Sequence, residues 1–179
     1  MDLEFKGKFM ALWKKYFDGA ELPITFYYTD QEGRGMLVKH PSGAFQCLIG
    51  VLNRVRKGES LCFGSDSFGC LGGKRYLGYT REPLPNIEYF LSCGIEGEVE
   101  GERYKKTPQL VKQFIDEDPW YEAPGRYVVF KRWDQLDQGD DPQVVIFYAT
   151  PDVLSGLFTL AGFEETGMGS VIAPFGAGC

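Results

Sequence analysis

Five cysteines and a run of glycines carry the chemistry this chain advertises. The densest segment reads Leu61-Cys62-Phe63-Gly64-Ser65-Asp66-Ser67-Phe68-Gly69-Cys70-Leu71-Gly72-Gly73-Lys74-Arg75-Tyr76-Leu77-Gly78. Glycines at 64, 69, 72 and 73 let the backbone approach a ligand closely, and successive N–H groups in such a loop form an anion-binding concavity. Lys74 and Arg75 add positive charge, and a helix beginning near Arg75–Leu77 would add its N-terminal dipole. All three effects favour a thiolate at Cys70, and the same N–H groups could donate to the sulfurs of a cluster. Gly69, Gly72, Gly73, Lys74 and Arg75 are therefore candidate cofactor-binding residues. Cys179 follows Gly176-Ala177-Gly178 and has a similarly stripped setting. Cys62 stands on an expected strand that feeds the Cys70 loop, so Cys62, Cys70 and Cys179 form the candidate metal set. Cys93 at a helix C-terminus and Cys47 on an apolar helix are weaker, and Cys47 is expected in the core.

Other chemistries fit less well. A phosphate loop needs four residues between its first glycine and Gly-Lys, followed by Ser or Thr. Here Gly69 and Gly73-Lys74 enclose three, and Arg75 follows. No cysteine pair has the short spacing of structural zinc sites, and His40 is the sole histidine. Iron–sulfur clusters require thiolates without one fixed spacing and tolerate this arrangement better. His40 lacks the surroundings of a serine-hydrolase triad. The acidic stretch Asp134, Asp137, Asp140, Asp141 lacks the spacing and terminal glutamate of a calcium loop, and is expected to be solvated. Glu96, Glu98, Glu100 and Glu102 alternate as on the outer face of a strand or hairpin.

The elements that must position these groups follow from periodicity. Phe9, Leu12, Trp13, Tyr16 and Phe17 recur at helical spacing over 3–17. Residues 24–29 and 60–63 read as strands, with a helix over 44–56 between them whose stripe is Ala44, Leu48, Val51, Leu52 and Val55. Asn86 is expected to cap a short helix ending near Gly94. Thr107-Pro108 starts another through Leu110, Val111, Phe114 and Ile115, stopped at Asp118-Pro119. Residues 126–131 and 143–148 are β-rich. Thr150-Pro151-Asp152 opens a helix with Val153, Leu154, Leu157, Phe158 and Leu160 facing inward, and 170–173 can form a last short strand. Mixed strands and helices without repeats or linkers predict one α+β or α/β domain spanning 1–179, with a mixed sheet flanked by helices. The abrupt end at Cys179 suggests a truncated chain.

Composition bounds the setting. With 179 residues, 44% hydrophobic and 25% charged, the chain has the makings of a globular core. A net charge of −6 with scattered bases argues against nucleic acid and anionic membranes as partners. Acidic residues near the start and the lack of a long apolar run predict a cytoplasmic protein with reduced cysteines.

Gly69–Gly78, Val128-Val129-Phe130-Lys131, Val144–Asp152 and Gly176-Ala177-Gly178-Cys179 together resemble an uncharacterised prokaryotic family catalogued as domain of unknown function number 169. The resemblance runs over most of the chain from about residue 20 onward. It implies that Cys70 and Cys179 are the family's two glycine-flanked cysteines and matter together, and it implies no activity. Family members usually continue past the second cysteine, where this chain stops. The expectation is a cysteine-ligated iron–sulfur or metal-binding protein with a redox or sensing role, working with a small molecule or a redox partner protein. The alternatives are an enzyme with a low-pKa cysteine at position 70, and a non-catalytic small-ligand-binding module whose cysteines are core.

Overall fold

A computed structural model describes residues 1–40, 45–117, 120–164 and 166. Ala44, Asp118-Pro119, the expected strand at 170–173 and Cys179 lie outside them. The chain opens with helix α1 (Leu3–Tyr16), whose first turn is capped by the Asp2 carboxylate accepting the N–H of Glu4 at 2.8 Å. Strands β1 (Ile24–Thr29) and β2 (Met36–Leu37), helix α2 (Leu48–Arg56), strand β3 (Leu61–Phe63) and helix α3 (Leu71–Tyr76) follow. Next come α4 (Ile87–Phe90), α5 (Pro108–Glu117), β4 (Tyr127–Arg132), β5 (Val144–Ile146) and α6 (Pro151–Ala161). The strands pair in the order β2-β3-β4-β1-β5. β1 is antiparallel to β4 and β5, β3 is antiparallel to β4, and β2 is parallel to β3. The fold is thus α+β, a mixed sheet flanked by helices, as the alternation of patterns predicts.

Two-residue periodicity divides the sheet into two unlike faces. Ile24, Leu61, Phe63, Val128 and Phe130 point to one side, where α2 lays Val51, Leu52 and Val55 over them. This is the main core, and its aromatic pairs include Phe63–Phe130 at 5.7 Å between ring centres. Tyr27, Cys62 and Val129 point to the other side with Tyr127 packed beside them. The connection from β1 to β2 must pass two strands, so residues 30–35 cross this second face. Tyr127 there donates to Glu32 at 3.0 Å.

Three readings of the sequence change in the folded chain. Cys47, expected in the core, is exposed, because α2 begins only at Leu48 and leaves Cys47 outside its first turn. Asn86 does stand before α4, but it adopts a left-handed backbone with φ 59° and makes no side-chain cap. Helix α6 forms where its Thr-Pro start places it, yet Leu154, Phe158 and Leu160 are 42%, 50% and 60% exposed. Their inward orientation is not realised against the described residues, since α6 meets α1's end through Gly156 on the ring of Phe17. Of the strand or hairpin expected for the alternating glutamates, the chain forms a tight turn closed by an antiparallel Ile95–Val99 bridge. Among the described residues, no helix is long and apolar enough to cross a membrane.

Candidate functional site: the cleft at the strand ends

Cys70 is 5% exposed and serves as the N-cap of α3, its Sγ accepting the N–H of Gly73 at 3.3 Å. The helix starts directly after the cysteine, earlier than the sequence suggests. Lys74 and Arg75 consequently occupy its last turn, where cations complement the helix dipole and stand away from its N-terminus. Arg75 turns outward, donating to the carbonyl of Arg81 at 2.5 Å and lying over the ring of Trp120.

The glycines beside Cys70 make room for protein. A Cβ at Gly69 would stand 2.5 Å from Cε1 of His40 and 2.8 Å from Cβ of Gln46, and one at Gly73 would stand 2.9 Å from Cδ2 of Leu48. Gly72 lies half-buried in α3. Cys70 itself lines a crevice too tight for a water molecule, with Gln46, Leu48, Phe63 and Phe68. Nδ1 of His40 is buried with no hydrogen-bond partner among the described residues.

Cys62 goes elsewhere. Leu61 and Phe63 face the main core where Cys70 lies, so alternation along β3 turns Cys62 to the opposite face of the sheet. Its thiol is pushed up to about 11 by burial and, secondarily, by the charge of Glu32. Cys62 and Cys70 are thus held apart by the sheet. Among the described residues no three His, Cys, Asp or Glu side chains come together to hold a metal ion. Cys93 is exposed at the end of α4, and its Sγ lies 3.5 Å from the carbonyl of Gly94.

The upstream part of the same glycine-rich segment does line open space. Where β1 and β3 end and β4 begins, a cleft of about 660 Å³ is enclosed by Gly64–Ser67, Gly78-Tyr79, Glu122–Tyr127, Asp30 and Leu37. Its walls are fixed locally. Gly78 has φ +81° and its carbonyl receives the N–H of Ala123 at 3.0 Å, and a Cβ there would stand 2.4 Å from that nitrogen. Only glycine fits such a left-handed, crowded position. The loop after β3 is tied by Gly64 N–H donating to Ser67 Oγ at 3.0 Å. Tyr79 donates to the carbonyl of Gly125 at 3.2 Å, and Arg126 N–H donates to Asp30 at 2.9 Å. Burial is the chief cause that pushes the Tyr79 hydroxyl up, so it stays a neutral phenol. The cleft's volume lies within the range of small-molecule sites, about 300–1,000 Å³, and glycine backbone and two tyrosines line it. Sequence reasoning centred this site on 69–75 and missed Asp30, Tyr79 and 122–127. Their meeting depends on β1 and β4 pairing across a long sequence gap, although Gly64–Ser67 did carry a signal.

A second polar cluster corrects the solvated-loop reading of 134–141 at Asp140, while Asp137 and Asp141 are exposed as expected. Asp140 is fully buried. It accepts from Lys131 Nζ at 2.8 Å, from the Asp137 N–H at 2.8 Å and from the Tyr27 hydroxyl. Arg34 lies 3.5 Å from it, and Gly139 leaves room for that guanidinium. Lys131 has only 5% of its side chain exposed and also reaches Asp137 at 3.1 Å. Every charge has a partner here, so the cluster is a fastening between loop and sheet.

Comparison with curated proteins and with solved structures yields no match. The sequence profile of DUF169, described as an uncharacterised ArCR, matches residues 14–179. The chain therefore belongs to this family, as its glycine–cysteine segments and its strand motifs together suggest.

Proposed function

We propose that this protein is a small-ligand-binding module whose site is the cleft at the ends of β1 and β3. The observation that carries this reading is the cleft of about 660 Å³ walled by three glycine backbones and by Tyr79 and Tyr127. Ligand pockets commonly span about 300–1,000 Å³ and combine apolar faces with a few polar groups. Chemical-shift mapping with a fragment cocktail tests it, with Ser65→Trp as the blocking variant, since Ser65 is exposed at the cleft wall. Fragments are expected to shift the amides of Gly64, Gly78 and Gly125, and Ser65→Trp to abolish those shifts without lowering thermal stability. Fragments that map elsewhere, or none binding, would remove the reading.

A thiol or iron–sulfur centre at Cys70 is a second reading, favoured by the Gly73 N–H directed at its sulfur at 3.3 Å. Its ligands would be Cys70 and Cys179 without Cys62, and its partner a redox protein. Anaerobic purification with iron and acid-labile sulfide analysis decides it. Iron that disappears in Cys70→Ala supports a cluster, while colourless, iron-free protein with free thiols rejects one.

A further inference from the structure

We infer that the crossover at 30–35 is a strap that lifts from the sheet's second face as a unit of its own, opening Cys62 to solvent while the strands stay paired. The strap reads Asp30-Gln31-Glu32-Gly33-Arg34-Gly35 and holds no apolar side chain. It crosses a face whose Tyr27, Cys62 and Val129 are at most 2% exposed. Asp30 through Gly33 are themselves exposed, and Arg34 and Gly35 are half-buried. No burial of apolar side chains of its own holds the strap down. Segments of that kind open at a fraction of the free energy of global unfolding.

Polar contacts fasten the strap at points spread along its length. Asp30 accepts the Arg126 N–H at 2.9 Å, Glu32 accepts the Tyr127 hydroxyl at 3.0 Å, and Arg34 lies 3.5 Å from both Asp137 and Asp140. On either side the chain is anchored in the sheet, by Thr29 opposite Tyr127 and by the Met36 N–H on the carbonyl of Ser60 at 2.8 Å. Gly33 has φ +78° and open space where a Cβ would stand, so it can change conformation between these anchors at little steric cost. Gly35 seats the closed strap, since a Cβ there would stand 3.1 Å from the carbonyl carbon of Leu61. Glu32 lies close enough to Cys62 for its charge to bear on that thiol. Asp30, Arg126 and Tyr127 also line the cleft, so lifting the strap alters one of its walls.

Iodoacetamide labelling of Cys62 in the full chain, followed by peptide mass mapping across sub-denaturing urea, tests this inference, with tryptophan fluorescence recording global unfolding. Labelling through a lifted strap is expected to change by less than about twofold per molar urea, because little surface is exposed. Labelling through global unfolding would rise by about fivefold or more per molar. Glu32→Ala and Tyr127→Phe each remove the same hydrogen bond. Each should speed labelling by about three- to tenfold, and the two together no more than either alone, with the shallow urea slope kept. Glu32→Gln removes the charge but keeps an oxygen for the Tyr127 hydroxyl, and should stay within about twofold of the parent. A Cys62 rate that climbs with urea in step with global unfolding overturns the strap. An unchanged rate in both Glu32→Ala and Tyr127→Phe does so too. Glu32→Gln matching Glu32→Ala also overturns it, by assigning the effect to the charge felt by the thiol.

Discussion

At the scale of single residues, four described cysteines of identical chemistry have three fates. Cys47 and Cys93 are exposed, Cys70 caps a helix beneath Gln46, and Cys62 is sealed under the 30–35 crossover. A thiol held near 11 in place of the ordinary value of 9.0 carries about a hundredfold less thiolate at mildly alkaline pH. Iodoacetamide with peptide mass mapping should therefore label Cys47 and Cys93 first. Cys62 should react at least about a hundredfold more slowly until denaturant opens the sheet. Equal labelling of Cys62 and Cys93 in the native protein would contradict this placement. The identity of the reactive atom type was legible in the chain, but which sulfur meets solvent was decided by strand parity and by where α2 begins.

At the scale of elements, α3 and the 134–141 loop show how short segments acquire their roles. The Cys70 Sγ bond to Gly73 sets the start of α3, and this start moves Lys74 and Arg75 to the far end. The loop is pinned when Asp140 enters the sheet's second face and meets Lys131 and Tyr27. Removing one partner of a buried ion pair leaves the other charge uncompensated, at a cost of about 3–5 kcal/mol. Asp140→Ala should lower unfolding free energy by that order in urea titration, while Asp141→Ala, on an exposed neighbour, should change it by less than about 0.5 kcal/mol. Equal effects from the two variants would show that the loop is not fastened through Asp140. Four aspartates within eight residues look alike as text. Their separation into one buried anchor, a half-buried Asp134 and two exposed companions arises from a strand nine positions upstream and from Tyr27, which enters by long-range pairing.

At the scale of the molecule, carboxylates held low define the acid limb of stability. Asp134 is held below the usual carboxylate range by its hydrogen bonds from Arg132, and Asp137 by its bond from Lys131. Glu21 is held low by Arg56 across the surface, a pair that salt screens. A depressed group contributes stability that is present above its unfolded value of about 4 and is lost as pH falls through its folded value. Cys62 acts in the opposite sense, its contribution being complete below the ordinary 9.0 and lost as pH rises toward about 11. The urea midpoint should hold a plateau from about pH 5 to about pH 9 and decline on both sides. A midpoint that keeps rising as the solution is acidified below pH 4 would reverse the assigned signs.

Local information in the chain was sufficient for most elements: the capped start at Asp2, the β-rich runs of β1, β3 and β4, and the Thr107-Pro108 helix start, whose hydroxyl accepts the Leu110 N–H at 3.3 Å. These depend on contacts within a few residues, and periodicity records them. Strand β2 escaped notice because two residues carry no period, and the pairing of Met36 and Leu37 with Leu61 and Cys62 is visible only in the folded sheet. The cleft belongs to the same class. Its wall joins Asp30, Gly64–Ser67, Gly78-Tyr79 and 122–127, stretches that no local rule relates. By itself the sequence determined the kinds of chemistry present and the segments that bend; the order β2-β3-β4-β1-β5 alone decided which of them meet, because neighbours across a sheet are chosen by long-range pairing.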